Sequence, residues 1–178
     1  MGEPTLASNL GEAIGMVKSV LGFPVAVLTN SSLMAREDVR QELSLADVVV
    51  AKVDAPSEKL FRQINRPVIG CTLDEILNAL QLFREEYQGK LALQMMFLEA
   101  NKGYAPEMAR IAKRLSPDEV QLNTPLRPCA VQPLAPEDMS IIRQAFSGLR
   151  GVVTVYEGQG PEVTPLNREE TLLRRPKL

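Results

Sequence analysis

Four apolar runs in this chain end in residues that can hydrogen-bond or carry charge. Thr29-Asn30 closes the first. Lys52 and Asp54 stand two apart near the end of the second, so on an extended strand both project from one face. Gln94 and Met96 share a face on the third run, with Glu99 and Asn101 just beyond it. Gln121 and Asn123 share a face on the fourth, followed by Thr124 and Arg127. Amides, a hydroxyl, an ammonium, a carboxylate and a guanidinium converging on one rim suit a polar or anionic small molecule. Lys52 is the most informative of them. It interrupts Val48-Val49-Val50-Ala51-Lys52-Val53, and an unpaired ammonium is costly inside an apolar strand, so it requires a partner or a wet cavity. Arg127 is flanked by Pro125 and Pro128, and a rigid loop holding a guanidinium suits carboxylate or phosphate recognition. Plainer readings stand beside these. Asn30 with Ser31 and Ser32 suits a turn in which side chains bond their own backbone. Asp54 before Ala55-Pro56 suits a turn carboxylate, Gln94 and Gln121 suit amides bridging neighbouring strands, and Arg127 suits a surface ion pair. Met95 and Met96 suit core filling.

The elements that must position these residues alternate along the chain. Leu10, Ala13, Ile14, Val17 and Leu21 follow helical spacing up to Gly22. Residues 24–29 form a continuous apolar run, expected as a buried strand. A weaker helix spans 36–45, and a strand rich in β-branched residues spans 47–54. A short helix starts near Ser57 and ends at Arg66-Pro67. Thr72 with Glu75 three residues later forms a capping box that opens a helix carrying Leu73, Ile76, Leu77, Leu80 and Phe83 inward. Cys71 precedes that cap and suits packing on Ile76. Further strands are expected at 90–98, 119–123 and 151–156, and further helices after Pro106 and Pro136. A final helical turn is expected at 168–173. Strand–helix alternation with nearly continuous apolar strands implies a parallel sheet covered by helices. In such folds ligands bind beyond the carboxyl ends of the strands, where the polar residues fall.

Composition bounds the function. The chain has 178 residues, 45% hydrophobic and 24% charged, which fits one globular domain. Its formal net charge of −2 speaks against nucleic-acid binding by charge alone. No apolar run approaches the ~20 residues that span a bilayer, and residues 1–4 lack the basic and apolar regions of a signal peptide, so a cytoplasmic setting is expected. With two cysteines and no histidine, the chain lacks Ser-His-Asp and Cys-His catalysis and histidine-ligated metal. It also lacks three thiolates for an iron–sulfur cluster.

Gly2-Glu3-Pro4-Thr5-Leu6 resembles the Gly-Glu-Pro segment of radical S-adenosylmethionine (SAM) enzymes. An amphipathic helix follows, then Val27-Leu28-Thr29-Asn30-Ser31-Ser32-Leu33, which resembles that family's third strand and its Thr-Asn turn. Residues 50–56 resemble the fourth strand and Gln121-Leu122-Asn123-Thr124-Pro125 the sixth. Phe61-Arg62-Gln63-Ile64-Asn65-Arg66-Pro67 looks like the segment found in the wybutosine-synthesis and glycyl-radical-activating branches. The resemblance covers about residues 1–150. It implies the C-terminal part of an incomplete (β/α)6-type partial TIM barrel, lacking the first strand and most of the second. That portion would span 1–151, with 152–178 a terminal strand and polar tail.

The resemblance also implies a chemistry. In the intact family a [4Fe–4S] cluster on a Cys-x3-Cys-x2-Cys loop binds SAM, and one electron cleaves SAM to a 5′-deoxyadenosyl radical. Here Gly2, Glu3 and Pro4 would meet the SAM amino group. Asn30, Lys52 and Asp54 would hold its ribose or carboxylate, and Gln94, Asn123 and Arg127 would line the adenosine or substrate side. The chain has no such cysteine loop, so no cofactor is expected to remain bound to it alone, and it is expected to be inactive alone. A non-catalytic α/β module binding a small anion or a protein is the competing reading. A metal-independent lyase would need Lys52 or Asp54 as its base. Without a full second strand, the strand at 25–29 exposes an unpaired edge, and a homodimer or larger aggregate through that edge is expected.

Overall fold

The computed structural model describes residues 2–68, 70–126 and 129–157. Five strands form one parallel sheet in sequential order: β1 (Ala26–Thr29), β2 (Val48–Lys52), β3 (Lys90–Met96), β4 (Glu119–Asn123) and β5 (Val152–Thr154). Helices occupy the crossovers. They are α1 (Leu10–Leu21), α2 (Glu37–Leu43), α3 (Glu58–Ile64), α4 (Leu73–Glu86), α5 (Ala105–Leu115) and α6 (Pro136–Ala145). A sequential parallel order with right-handed crossovers keeps the helical layer on one face of the sheet. Among the described residues, no helix is long and apolar enough to cross a membrane.

Burial follows the pleat. Val27, Val49, Ala51, Leu91, Leu93, Met95, Val120 and Leu122 are buried under the helices. Leu28, Lys52, Gln94, Met96, Gln121 and Asn123 alternate with them on the other face and are only partly buried or exposed. The expected polar rim is therefore the carboxyl end of this open face. β4 matches its expected bounds at 119–123, and the other strands stop one or two residues short of their apolar runs at one or both ends, where the chain turns into or out of a crossover.

Local signals behave as their chemistry requires. Gly22 ends α1 with φ 65°, the left-handed conformation that glycine adopts without steric penalty. The capping box of α4 is complete: the Glu75 N–H donates to Thr72 Oγ1, and the Thr72 N–H donates to Glu75 Oε2 at 2.8 Å. Cys71, just before the cap, is buried in the same core as Ile76. Gly89 follows the helix, where a Cβ would lie 2.8 Å from the Asp47 carbonyl, so no larger residue fits.

The helical spacing of Leu10, Ala13, Ile14, Val17 and Leu21 predicts one apolar stripe on α1, but of these only Leu10 and Ile14 are buried. The helix lies beside the terminal strand among the described residues, and its second half is tied to the fold through Lys18, which donates to the Leu45 carbonyl at 3.1 Å and pairs with Asp47 at 2.8 Å. The turn expected at 168–173 lies outside the described residues.

Candidate functional site

The residues at the chain's start are tied to the end of β1 by one side chain. Glu3 Oε1 accepts from Thr29 Oγ1 at 2.6 Å and from Thr5 Oγ1 at 2.8 Å, and Oε2 accepts from the Asn30 N–H at 2.7 Å. Pro4 opens a short 3₁₀ turn over residues 4–6, where its fixed φ is already suitable and its missing N–H leaves no unmet donor. The Glu3 carboxylate is thus engaged inside the fold, and the Glu3 and Pro4 carbonyls accept from the Leu6 and Ala7 N–H groups of the turn. Asn30 is exposed, and its Oδ1 accepts from the Ser32 N–H at 2.9 Å, the turn geometry its neighbours suggested.

Lys52, Gln94 and Gln121 stand in one row across three strands, since Lys52 is the register partner of Gln94 and Gln94 that of Gln121. Met96 and Asn123 form the next row toward the rim. Gln94 Nε2 donates to Gln121 Oε1 at 3.2 Å, the strand-bridging amide pair anticipated above. Asn30 follows Thr29, which pairs with Ala51, so Asn30 falls level with Lys52. Four neighbouring strands thus bring Asn30, Lys52, Gln94 and Asn123 to one rim. Arg127 lies outside the described residues.

Asp54 has a different role. It is buried, and both carboxylate oxygens have partners from the protein. Oδ1 accepts from the Met96 N–H at 2.9 Å and Oδ2 from Asn65 Nδ2 at 2.7 Å. Lys52 Nζ lies 3.4 Å from Oδ2. Burial pushes the Asp54 carboxyl above its ordinary pKa, against the opposing pull of the Lys52 ammonium. The arrangement joins β2, β3 and the end of α3, and it steadies Lys52, whose side chain remains one third exposed. Asn101 reinforces the same corner: its Nδ2 donates to the Asp54 and Met96 carbonyls. Lys52 is thus partly exposed at the rim, whereas the Asp54 carboxylate beside it is buried.

A cavity of about 270 Å³ opens beside this rim, lined by Glu3, Leu6, Asn30, Ser32, Asn65 and Arg66 among others. Two non-glycine residues with positive φ border it, Ser31 at 67° and Arg66 at 47°. Such conformations persist only where the surroundings enforce them, and they concentrate at functional sites. Asn65 and Arg66 are not among the expected site residues. Their sequence signals are the helix end before Pro67 and the resemblance of residues 61–67 to a segment of the two radical SAM branches, neither of which specifies a contact.

No described protein-family profile matches the chain. It is 40% identical over 150 residues to a UPF0026 protein of Methanocaldococcus jannaschii, covering 82% of this chain and 46% of that protein. It is 40% identical over 132 residues to a UPF0026 protein of Synechocystis, covering 74% of this chain and 50% of that one. The chain spans about half the length of the curated relatives it matches. Among solved structures, a radical SAM methyltransferase from Sphaerobacter thermophilus aligns with a TM-score of 0.68 at 19% identity, over 86% of this chain and 48% of that one. A domain of pyruvate-formate lyase-activating enzyme from Bacteroides vulgatus aligns with a TM-score of 0.67 at 16% identity, over 86% of this chain and 94% of that one. The fold is therefore that of the partial-barrel radical SAM domains: a five-stranded parallel sheet with flanking helices.

Proposed function

We propose that this chain is the SAM-binding part of a radical SAM domain whose cluster ligands lie on other residues. The observation that carries the reading is the rim. Asn30, Lys52, Gln94 and Asn123 meet at the carboxyl ends of four parallel strands, beside the backbone of Gly2-Glu3-Pro4. SAM offers a carboxylate, an ammonium, ribose hydroxyls and an adenine edge. The donor set suits it: Lys52 presents a steadied ammonium for the carboxylate. Backbone carbonyls at Gly2-Glu3-Pro4 suit the amino group, and the amides of Asn30, Gln94 and Asn123 suit hydroxyls and ring nitrogens.

The cluster does not fit. The chain holds two cysteines and no histidine. Cys71 is buried in the core and Cys129 is exposed. Among the described residues, no three metal-ligating side chains converge. When the cluster and SAM are both bound, the chemistry belongs to them, and a protein supplies position and shielding. This chain's share is to orient SAM through Lys52 and the rim amides, with Asp54 holding Lys52 in place.

Isothermal titration of the chain with SAM tests the reading. Without a cluster to chelate the methionine end, binding in the range of roughly 0.1–1 mM is expected, and Lys52→Ala should weaken it about tenfold. Undetectable binding at several millimolar SAM, or wild-type affinity in Lys52→Ala, would overturn it.

A further inference from the structure

The amide pair on the open face is the end of a longer relay of polar contacts. Lys90 on β3 forms an ion pair with Glu119 on β4. Gln121, two residues further along the same face, donates from Nε2 to Glu119 Oε1 at 2.8 Å. Gln94 Nε2 then donates to Gln121 Oε1 at 3.2 Å. The Glu119 side chain is only 22% exposed, and Gln94 and Gln121 are half-buried. β3 and β4 each have a strand paired on both sides, so the relay stands on inner strands of the sheet.

Donor chemistry gives this relay a direction. An ionised carboxylate only accepts, so Glu119 requires the NH2 end of Gln121. The Lys90 ammonium and the Gln121 amide hold the Glu119 carboxyl below the ordinary carboxylate range, so it is ionised at neutral pH. Gln121 is left its oxygen for Gln94, and Gln94 must answer with its own NH2 end. Gln94 Oε1 is thereby turned away from β4. Among the described residues, no donor of the protein reaches that oxygen. Lys52, its register partner's side chain on β2, lies 3.4 Å from Asp54 Oδ2 instead.

We propose that Glu119 is a positioning residue that sets the polarity of the Gln94 subsite, so that Gln94 Oε1 accepts from a neutral hydroxyl or amino group of the ligand. The inference rests on the SAM reading above and narrows it. SAM carries two kinds of neutral donor, the ribose hydroxyls and the adenine 6-amino group, whereas the adenine ring nitrogens only accept. Gln94 takes one of those donors and not a ring nitrogen. An ammonium is disfavoured there, because Lys52 stands beside Gln94 in the same row. Two linked amides satisfy their mutual bond in either direction, and the carboxylate decides which end faces the ligand. In Glu119→Gln the Lys90 ammonium, which only donates, takes the new amide's oxygen. The NH2 end then faces Gln121, and the whole relay reverses.

Nuclear magnetic resonance titration of the full labelled chain tests the proposal. The probes are SAM and its analogues with inosine, 2′-deoxyadenosine or 3′-deoxyadenosine in place of adenosine. The first exchanges the 6-amino donor for a 6-oxo acceptor, and the others each lack one hydroxyl. The wild type should bind one of them about 5-fold or more weakly than SAM, and which one it is names the donor. Glu119→Gln should abolish or reverse that ratio while the circular dichroism spectrum stays unchanged. Gln94→Leu should abolish it as well, with no further change in the double variant. A purely structural Glu119 would weaken all four ligands alike and preserve the ratio. In the ligand-free chain, Glu119→Gln should move the Nε2 signals of both Gln121 and Gln94. A shift confined to Gln121, equal binding of all four ligands by the wild type, or a ratio unaltered in Glu119→Gln overturns the proposal and leaves the SAM reading standing. Absence of SAM binding overturns that reading, and this inference with it.

Discussion

Asp54→Ala should be the most damaging single change at the rim, and its size follows from the hydrogen bonds. The substitution removes the acceptor for the Met96 N–H and for Asn65 Nδ2, both partly buried. Each donor left without a partner costs about 1–3 kcal/mol, so a loss of roughly 3–4 kcal/mol is expected. For a chain of this length that corresponds to a fall of about 10 °C in Tm. Asp54→Asn retains an oxygen for Met96 and should lose only about 1–2 kcal/mol. The pH dependence separates the charge from the geometry. Burial raises the Asp54 carboxyl above its unfolded pKa of about 3.9. A raised carboxyl contributes stability that is fully present below the unfolded pKa and lost as pH rises through the folded one. The advantage of wild type over Asp54→Asn should therefore be largest in acid and shrink as pH rises from about 4 toward neutrality. Urea denaturation of the three proteins at several pH values measures this. A loss below about 1 kcal/mol in Asp54→Ala, or an advantage that grows with pH, would refute the reasoning.

Three further outcomes are expected. Glu3→Ala removes the acceptor shared by Thr29 and Asn30, so amide exchange at Asn30 should accelerate and the first seven residues should become open to proteolysis; unchanged protection would show that the tie is unimportant. Thr72→Ala breaks the capping box of α4 and should cost about 1 kcal/mol in chemical denaturation, with Thr72→Ser close to wild type. Anaerobic reconstitution of the isolated chain with iron and sulfide should give no stoichiometric cluster, and about four irons per chain with matching sulfide would contradict the ligand count.

What was legible in the sequence is what local chemistry and period determine. The capping box, the stop at Gly22 and the five strand segments were readable because each depends on neighbouring residues. The row Lys52, Gln94, Gln121 was readable because the two-residue strand period and parallel order place it. The partners of Asp54 were not. Met96 lies 42 positions away, and its contact with Asp54 depends on how two strand ends meet at the rim. Asn65 lies 11 positions away at the end of a helix, where its side chain follows no periodic rule. The exposure of Val17 and Leu21 was only partly legible. The unpaired edge at 25–29 was expected from the resemblance, and β1 is indeed the terminal strand among the described residues, but helical spacing alone does not say how far along α1 burial extends, and it stops after Ile14.

Binding of SAM at the rim is tested by a map of where SAM touches. Backbone amide spectra of the isotopically labelled chain should be recorded with increasing SAM. Saturable shifts concentrated at residues 3–5, 30–32, 52, 94–96 and 123 are expected, with Lys52→Ala weakening the whole set together. Shifts scattered over the helical layer, or centred on α5 and α6 with the rim unmoved, would contradict it.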